Sequence, residues 1–184
     1  GFNKEEIDTW IPELLKEDIS ALTIHLRTVK EMSLVDARWE HLEKIKELIK
    51  KSGKASPIGL RPRDILLIGN GDIKDLKDGE ERAIKYGCDG VMIGRGVFGS
   101  PWFFLLDKSP DISIKEKLEA LIEHTQIFDK ELAIPKHKSF AVMKKHFKAY
   151  VNGFEGAKEL RMKLMETENS KEIEIIINDF LKEF

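Results

Sequence analysis

Apolar residues follow two different spacings along the first 96 positions of the chain. In three segments they recur every three or four positions, the spacing that gives a helix one buried face. These segments are residues 4–17, 39–50 and 73–86. Three shorter runs are mostly apolar and rich enough in strand-forming residues to be buried strands. They are residues 19–25, 64–69 and 90–93. Because helices and strands alternate, we expect parallel strands joined by crossover helices.

The strand pattern ends near Trp102, and the remaining sequence predicts helices. The predicted helices are residues 114–132, 138–152, 156–165 and 170–184. Two prolines and a glycine predict a loop at residues 54–63. The chain is therefore predicted to be α/β followed by all-α, with one domain at residues 1–107 and a second at residues 108–184.

Composition narrows the class of protein. Lys and Arg number 31 against 33 Asp and Glu, for a net charge of −2, and 41% of residues are hydrophobic, enough for an ordinary core. No apolar run approaches the roughly 18 residues that span a bilayer, so we expect no membrane association. The single cysteine, Cys88, excludes an internal disulfide framework and a multi-cysteine zinc site, so we expect no metal and a cytoplasmic location. Cys88 precedes the third strand, and we expect a buried structural thiol there.

Glycine-containing turns directly follow the second and third predicted strands. Asn70, Gly71 and Asp72 form the first turn, and Gly94 and Arg95 lie in the second. Ligands of parallel α/β proteins bind at the carboxyl ends of the strands, where glycines let backbone N–H groups approach a phosphate. The positive end of a following helix and the Arg95 charge would add to the attraction. The same glycines also suit a simple chain reversal, so both interpretations stay open.

His25 ends the first predicted strand, and Arg27 follows two residues later. Strand alternation would send both side chains to the same side of the sheet. The pair would then lie beside the candidate phosphate site, although a histidine at a strand end is also an ordinary structural feature.

Basic residues concentrate in the second half of the chain. Between positions 136 and 163 eight cations face only two glutamates, and aromatic residues are interleaved with them. The cations singled out as candidate RNA contacts are Lys136, Lys138, Lys144, Lys145, Lys148 and Arg161. This composition is typical of a polyanion-binding surface such as one for RNA, and also of a solvated helix face.

Several of these segments together resemble the tRNA-dihydrouridine synthases. The resemblance rests on A-L-T-I-H-L-R-T at 21–28, I-G-N-G-D-I at 68–73, G-C-D-G-V-M-I-G-R-G-V-F-G-S-P-W at 87–102 and H-F-K-A-Y-V-N-G-F-E-G-A-K-E-L-R at 146–161. It implies the last three β/α units of an FMN-binding (β/α)8 barrel, a TIM barrel, followed by a helical-bundle domain that binds tRNA. Leu26, where many members have glycine, and a longer loop at 52–63 depart from the family pattern.

The resemblance also implies roles for individual residues. FMN would be contacted by His25, Arg27, Asn70, Gly71, Asp72, Gly94 and Arg95, with the last two at its phosphate. In the family, the catalytic cysteine belongs to an earlier loop and an FMN-contacting lysine to an earlier strand, so both are expected upstream of Gly1, and no catalytic residue is assigned here. A closed barrel of this kind takes roughly 250 residues, and the 184-residue chain is expected to be part of a longer parent.

The parent would reduce the 5,6 double bond of a tRNA uridine with FMN, which NADPH or NADH recharges. No obligate protein partner is implied. The alternatives are another FMN barrel, such as a dihydroorotate dehydrogenase, and an RNA-binding module without catalysis.

Overall fold

The computed structural model describes residues 1–53, 65–105, 112–133 and 137–183. It divides into two compact units, Gly1–Gly96 and Val97–Phe184. The predicted loop at 54–63 and Lys136 lie outside the described residues. The predicted domain boundary at 107/108 also lies outside them, and the division falls earlier in the chain, so that boundary stays a prediction.

The first unit is a three-stranded parallel sheet with three helices. Its elements are α1 (Ile7–Leu14), β1 (Ala21–His25), α2 (His41–Lys51), β2 (Leu66–Asn70), α3 (Leu76–Tyr86) and β3 (Gly90–Met92). The strand order is β1-β2-β3, and both pairs are parallel, which confirms the predicted strand direction. Each element is shorter than predicted, but α2 and β2 end one residue later than predicted, at Lys51 and at Asn70, which the sequence placed in the turn.

Helices cover one face of this sheet. Leu22 of β1 and Leu67 of β2 are buried in a cluster with residues of the helices. The cluster also contains Ile11 of α1, Trp39, and three residues of α2, which are Leu42, Ile45 and Ile49. Leu66 and Met92 occupy the alternate strand positions and are 39% and 49% exposed. Because side chains alternate along a strand, the second face of the sheet is open in the described part of the chain.

Trp39 packs directly on the middle strand because Gly69 has no side chain. A Cβ at Gly69 would lie 2.5 Å from Trp39 Cζ3. The indole Nε1 donates a hydrogen bond of 3.0 Å to the carbonyl oxygen of Gly71. The buried tryptophan therefore fixes the chain just where β2 ends.

The second unit is helical, and all four helices predicted from the sequence are present. They are α4 (Ile114–Phe128), which continues as a π-helical turn (Asp129–Ala133), α5 (Ala141–Tyr150), α6 (Ala157–Met165) and α7 (Ser170–Glu183). A 3-10 turn, Arg95–Val97, follows β3. The helical core contains side chains that are essentially inaccessible to solvent. They are Leu118, Leu121, Met143, Phe147, Val151, Leu160, Leu164, Ile173 and Ile177.

Candidate functional site

A cleft of about 700 Å³ lies at the carboxyl edge of the sheet in the first unit. It is lined by all seven residues assigned to cofactor binding from the sequence: His25, Arg27, Asn70, Gly71, Asp72, Gly94 and Arg95. The structure thus brings together residues from three separate strand ends, and their ligand remains a prediction. Asp36 and Lys74 also line the cleft, and sequence reasoning missed both. Lys74 could have been found because it follows the Asn70–Asp72 turn so closely, whereas nothing in the sequence marks Asp36.

His25, Asn70 and Met92 form one row across the end of the sheet. The register aligns His25 of β1 with Asn70 of β2 and Asn70 with Met92 of β3. The Asn70 Nδ2 donates a hydrogen bond of 2.6 Å to the carbonyl oxygen of Met92. This row lies on the open face, so a flat ligand placed there would meet the ends of three strands at once.

Arg27 and Arg95 differ sharply in their surroundings. The Arg27 side chain is only 4% exposed. Its Nη2 forms an ion pair with Asp72, and its Nε donates to the Val35 carbonyl oxygen at 2.5 Å. Arg95 is 65% exposed, and its Nη2 lies 3.6 Å from the Asp72 Oδ1. Arg95 is accordingly the arginine more accessible to an anionic ligand, because Arg27 is buried and two of its three nitrogens, Nε and Nη2, already donate to protein acceptors.

Asp72 stays ionised at neutral pH. The hydrogen bond from Arg27 lowers the pKa of its carboxyl, and the Ala37 N–H, which donates to Oδ2 at 2.9 Å, lowers it further. An anion in the cleft would therefore be repelled by this carboxylate unless a cation such as Arg95 lay between them.

The turn after β3 is open to a close approach. A Cβ built at Gly94 would meet no other described atom within 4 Å. A ligand can therefore reach the backbone there without a steric barrier. This openness and the Arg95 charge fit a phosphate group.

The predicted attraction from a following helix is wrong at the turn after β3, and carboxylates oppose it at the turn after β2. The three-residue 3-10 turn Arg95–Val97 follows Gly94 in place of an α-helix. After the Asp72 turn, α3 starts at Leu76, and its first turn is capped by its own carboxylates: Asp75 accepts from the Asp78 N–H, and Asp78 accepts from the Lys74 N–H. These carboxylates offset the positive end of α3, so the favourable charges that the described residues offer a ligand are the side-chain cations of the cleft, the exposed Arg95 and Lys74 among them.

A basic groove lies between α5 and α6 in the second unit. Three lysines line it with Arg161 and two methionines, and the lysines are Lys144, Lys148 and Lys158. Lys138 and Lys145, two further candidate RNA contacts, are exposed. Their contact with RNA stays a prediction, and Lys136 lies outside the described residues.

Arg161 and the interleaved aromatic residues have structural partners. The Arg161 Nη1 donates a hydrogen bond of 2.6 Å to the carbonyl oxygen of Val151, just beyond the end of α5. Phe140, Phe147 and Tyr150 are buried in the helical core. These aromatic rings are therefore not available to stack on bases. Their spacing of seven and three residues is that of a core stripe, which was the signal in the sequence.

Cys88, predicted to be a buried structural thiol, is half-buried and packs against the core of the first unit. Burial raises the pKa of its thiol, which keeps it protonated at neutral pH. A protonated thiol is a poor nucleophile, in agreement with a structural role.

Within the described residues, no helix is long and apolar enough to cross a membrane. The same residues contain no group of three or more His, Cys, Asp or Glu side chains placed to hold a metal ion.

A parallel sheet with crossover helices and a cationic, glycine-lined cleft at its carboxyl edge defines an α/β protein with a candidate phosphate site. Comparison with known proteins gives a narrower assignment. The family model "Dihydrouridine synthase (Dus)" matches residues 4–184. The chain belongs to the dihydrouridine synthase family.

Bacterial relatives match almost the whole chain. It is 42% identical over 177 residues to "Probable tRNA-dihydrouridine synthase" of Staphylococcus aureus (strain MRSA252), an alignment that covers 96% of this chain and 50% of the relative. It is 39% identical over 181 residues to "Probable tRNA-dihydrouridine synthase 2" of Bacillus subtilis (strain 168), with 98% and 52% covered. The chain thus spans about half the length of these relatives.

Proposed function

We propose that this chain is the carboxyl-terminal part of a tRNA-dihydrouridine synthase. Residues of the first unit would form the last three β/α units of an FMN-binding TIM barrel, and the helical unit would be its tRNA-binding domain. The names of the relatives support this proposal. The parallel sheet supports it as well, since one of its faces is open. The parent would be an oxidoreductase of the cytoplasm that reduces the 5,6 double bond of a tRNA uridine with NADPH or NADH as the final reductant.

The observation that carries the proposal is the exposed Arg95 beside Gly94 at the carboxyl end of β3. A phosphate fits this position because the backbone is accessible and the arginine can turn towards it. Arg95 would bind the FMN phosphate, while His25 and Asn70 would line the space for the rest of the cofactor. FMN, when bound, supplies the hydride chemistry, and these residues of the chain bind and orient it.

The role of Arg95 is tested by comparing two flavins that differ only in the phosphate. Loss of one charge-assisted hydrogen bond, worth about 1.5–3 kcal/mol, weakens binding roughly 10- to 100-fold. Arg95→Ala in the full parent should therefore weaken FMN binding by that factor and leave riboflavin binding within about twofold, in a titration of flavin fluorescence. Lys85→Ala, at a lysine on α3 that does not line the cleft, is the control. Equal losses for both flavins, or no loss, would contradict the phosphate assignment.

The helical unit would hold the tRNA backbone with lysines of α5. Lys144, Lys145 and Lys148 lie within two turns of one helix, and such a cluster attracts phosphates without reading sequence. Lys138 is a further candidate. Because the reacting base lies inside folded RNA, the parent would have to flip it out of the stack to reach the cofactor.

The RNA contact is tested with Lys144→Ala combined with Lys145→Ala. Removing two phosphate contacts should weaken tRNA binding and reduce the slope of log K against log salt by about 1.4–1.8. The flavin content should not change. Lys171→Ala, an exposed lysine at the start of α7, serves as the matched control. An unchanged salt slope would remove both lysines from the interface.

The whole activity is tested by incubating the full parent with FMN, NADPH and unmodified tRNA and measuring dihydrouridine by mass spectrometry. Dihydroorotate consumption without tRNA reduction would favour the other FMN barrel. A flavin-free parent that binds tRNA tightly would favour the non-catalytic module.

A further inference from the structure

An ion pair at the cleft joins three parts of the chain. Arg27 follows β1, and Asp72 follows β2, yet the Arg27 Nη2 contacts the Asp72 carboxylate directly. The same carboxylate oxygen accepts the Ala37 N–H at 2.9 Å. The Arg27 Nε donates to the Val35 carbonyl oxygen at 2.5 Å. One buried guanidinium and one carboxylate therefore link the β1–α2 loop to the turn after β2.

The turn that this pair holds has an unfavourable backbone conformation. Asp72 has a φ of 54°, a left-handed conformation that is uncommon for a residue with a side chain. Such a conformation persists where the surrounding contacts enforce it. The Arg27 and Ala37 contacts restrain the Asp72 side chain. The Trp39 indole restrains the Gly71 carbonyl from the core side.

The second oxygen of Asp72 faces Arg95. The Nη2 to Oδ1 distance is 3.6 Å, and the Arg95 side chain is largely exposed. A long, exposed ion pair of this kind restrains a side chain weakly, so Arg95 can move onto a ligand. Arg27 cannot do the same, because leaving Asp72 would strand a buried charge without its partner.

We propose that Arg27 is a positioning residue that binds no ligand itself but acts through Asp72: it fixes the turn after β2, where the Asp72 carboxylate faces Arg95 at the phosphate end of the cleft. The proposal rests on the FMN site proposed above. It reassigns Arg27, which the family resemblance placed in contact with FMN.

The first test uses the protein without flavin. Arg27→Gln removes the charge and the Nη2 contact, so the Ala37 N–H should lose its fixed acceptor. Hydrogen exchange at Ala37 should become at least fivefold faster in the ligand-free parent. Exchange at the wild-type rate would overturn the proposal, because the turn would then not depend on Arg27.

The second test is a double-mutant cycle on FMN affinity with Arg27→Gln and Asp72→Asn. If Arg27 acts through Asp72, each single variant should weaken FMN binding about tenfold, and the double variant should be no weaker than the worse single one. If Arg27 contacted the flavin itself, the two losses would multiply towards about 100-fold, which would overturn the proposal.

A matched control lies on the same loop. Arg38 forms a comparable, partly buried ion pair with Glu31, at 2.5 Å, but neither residue lines the cleft. Arg38→Gln should leave FMN affinity within twofold. A tenfold loss there would show that any weakening of the loop suffices and would overturn the specific role of Arg27. A parent that binds no flavin would refute the FMN site, whereas the Ala37 exchange rate would still decide whether Arg27 holds the turn.

Discussion

Replacing Gly69 by alanine should destabilise the first unit by forcing the buried indole away from the sheet. The added Cβ would lie 2.5 Å from Trp39 Cζ3 and 2.8 Å from Cη2, closer than carbon atoms approach in proteins. Trp39 is 1% exposed, so its ring has no free space to enter. Overpacking of this kind costs about 1–3 kcal/mol. Displacing the ring also strains the hydrogen bond to Gly71, worth about 0.5–1.5 kcal/mol, for a total of roughly 2–4 kcal/mol.

The assay is urea denaturation of the purified protein followed by far-UV circular dichroism, because Trp10 and Trp102 would contribute to tryptophan fluorescence together with Trp39. Gly94→Ala is the matched control, because a Cβ there meets no other described atom within 4 Å. It should change the free energy of unfolding by less than about 0.5 kcal/mol. Combining Gly69→Ala with Trp39→Phe should cost less than the sum of the two single changes, since the smaller ring leaves room for the methyl group. If Gly69→Ala cost no more than Gly94→Ala, the inferred packing of Trp39 on β2 would be wrong.

Three further predictions concern the helical unit. Ser113→Ala removes a capping box in which Ser113 and Glu116 satisfy each other's backbone N–H groups, and it should lower the free energy of unfolding by about 1 kcal/mol in urea titrations. Burial lowers the pKa of His124, so at mildly acidic pH the unfolded chain binds more protons than the folded chain. The contribution of neutral His124 to the free energy of unfolding is therefore fully present above about pH 6.5, the unfolded pKa, and is lost as the pH falls through the folded pKa. Urea midpoints between pH 7.5 and 5 should show this loss, and His124→Asn should reduce it. Arg161→Met should lower stability but leave tRNA affinity within about twofold, because its guanidinium donates to Val151.

The type and order of the elements could be predicted because each depends on local spacing. The three-to-four residue period of residues 39–50 comes from Leu42, Ile45 and Ile49, and these side chains are buried in the first core. The meeting of His25 and Asn70 also followed from the sequence, because parallel strands place their carboxyl ends at one edge of a sheet. The predicted ends of the elements were less accurate. Those ends depend on contacts such as the hydrogen bond from Trp39 to Gly71, which lies 32 residues away in the chain.

The difference between the two arginines of the cleft could not be predicted. Arg27 and Arg95 each follow a strand, and the sequence does not indicate that one of them is buried and the other exposed. What separates them is Asp72, which lies 45 residues from Arg27 in the chain and binds it closely. Arg161 shows the same limit, because its acceptor is a backbone carbonyl whose exposure depends on where α5 ends. The role of a cationic side chain depends on the acceptor that lies nearest to it in space. Residue type and spacing along the chain do not identify that acceptor.

The open face of the sheet connects the fold to the proposed site. Leu66 and Met92 are apolar residues at the positions of β2 and β3 that point away from the helices, and burying such side chains is worth about 1.5–3 kcal/mol each. The proposed barrel accounts for this choice of residues, because further strands would enclose the same face. His25 and Asn70 share that face with Met92, so enclosing it would also remove water from the row where the proposed cofactor would bind. Stability of the first unit and affinity for flavin should therefore depend on the same additional strands.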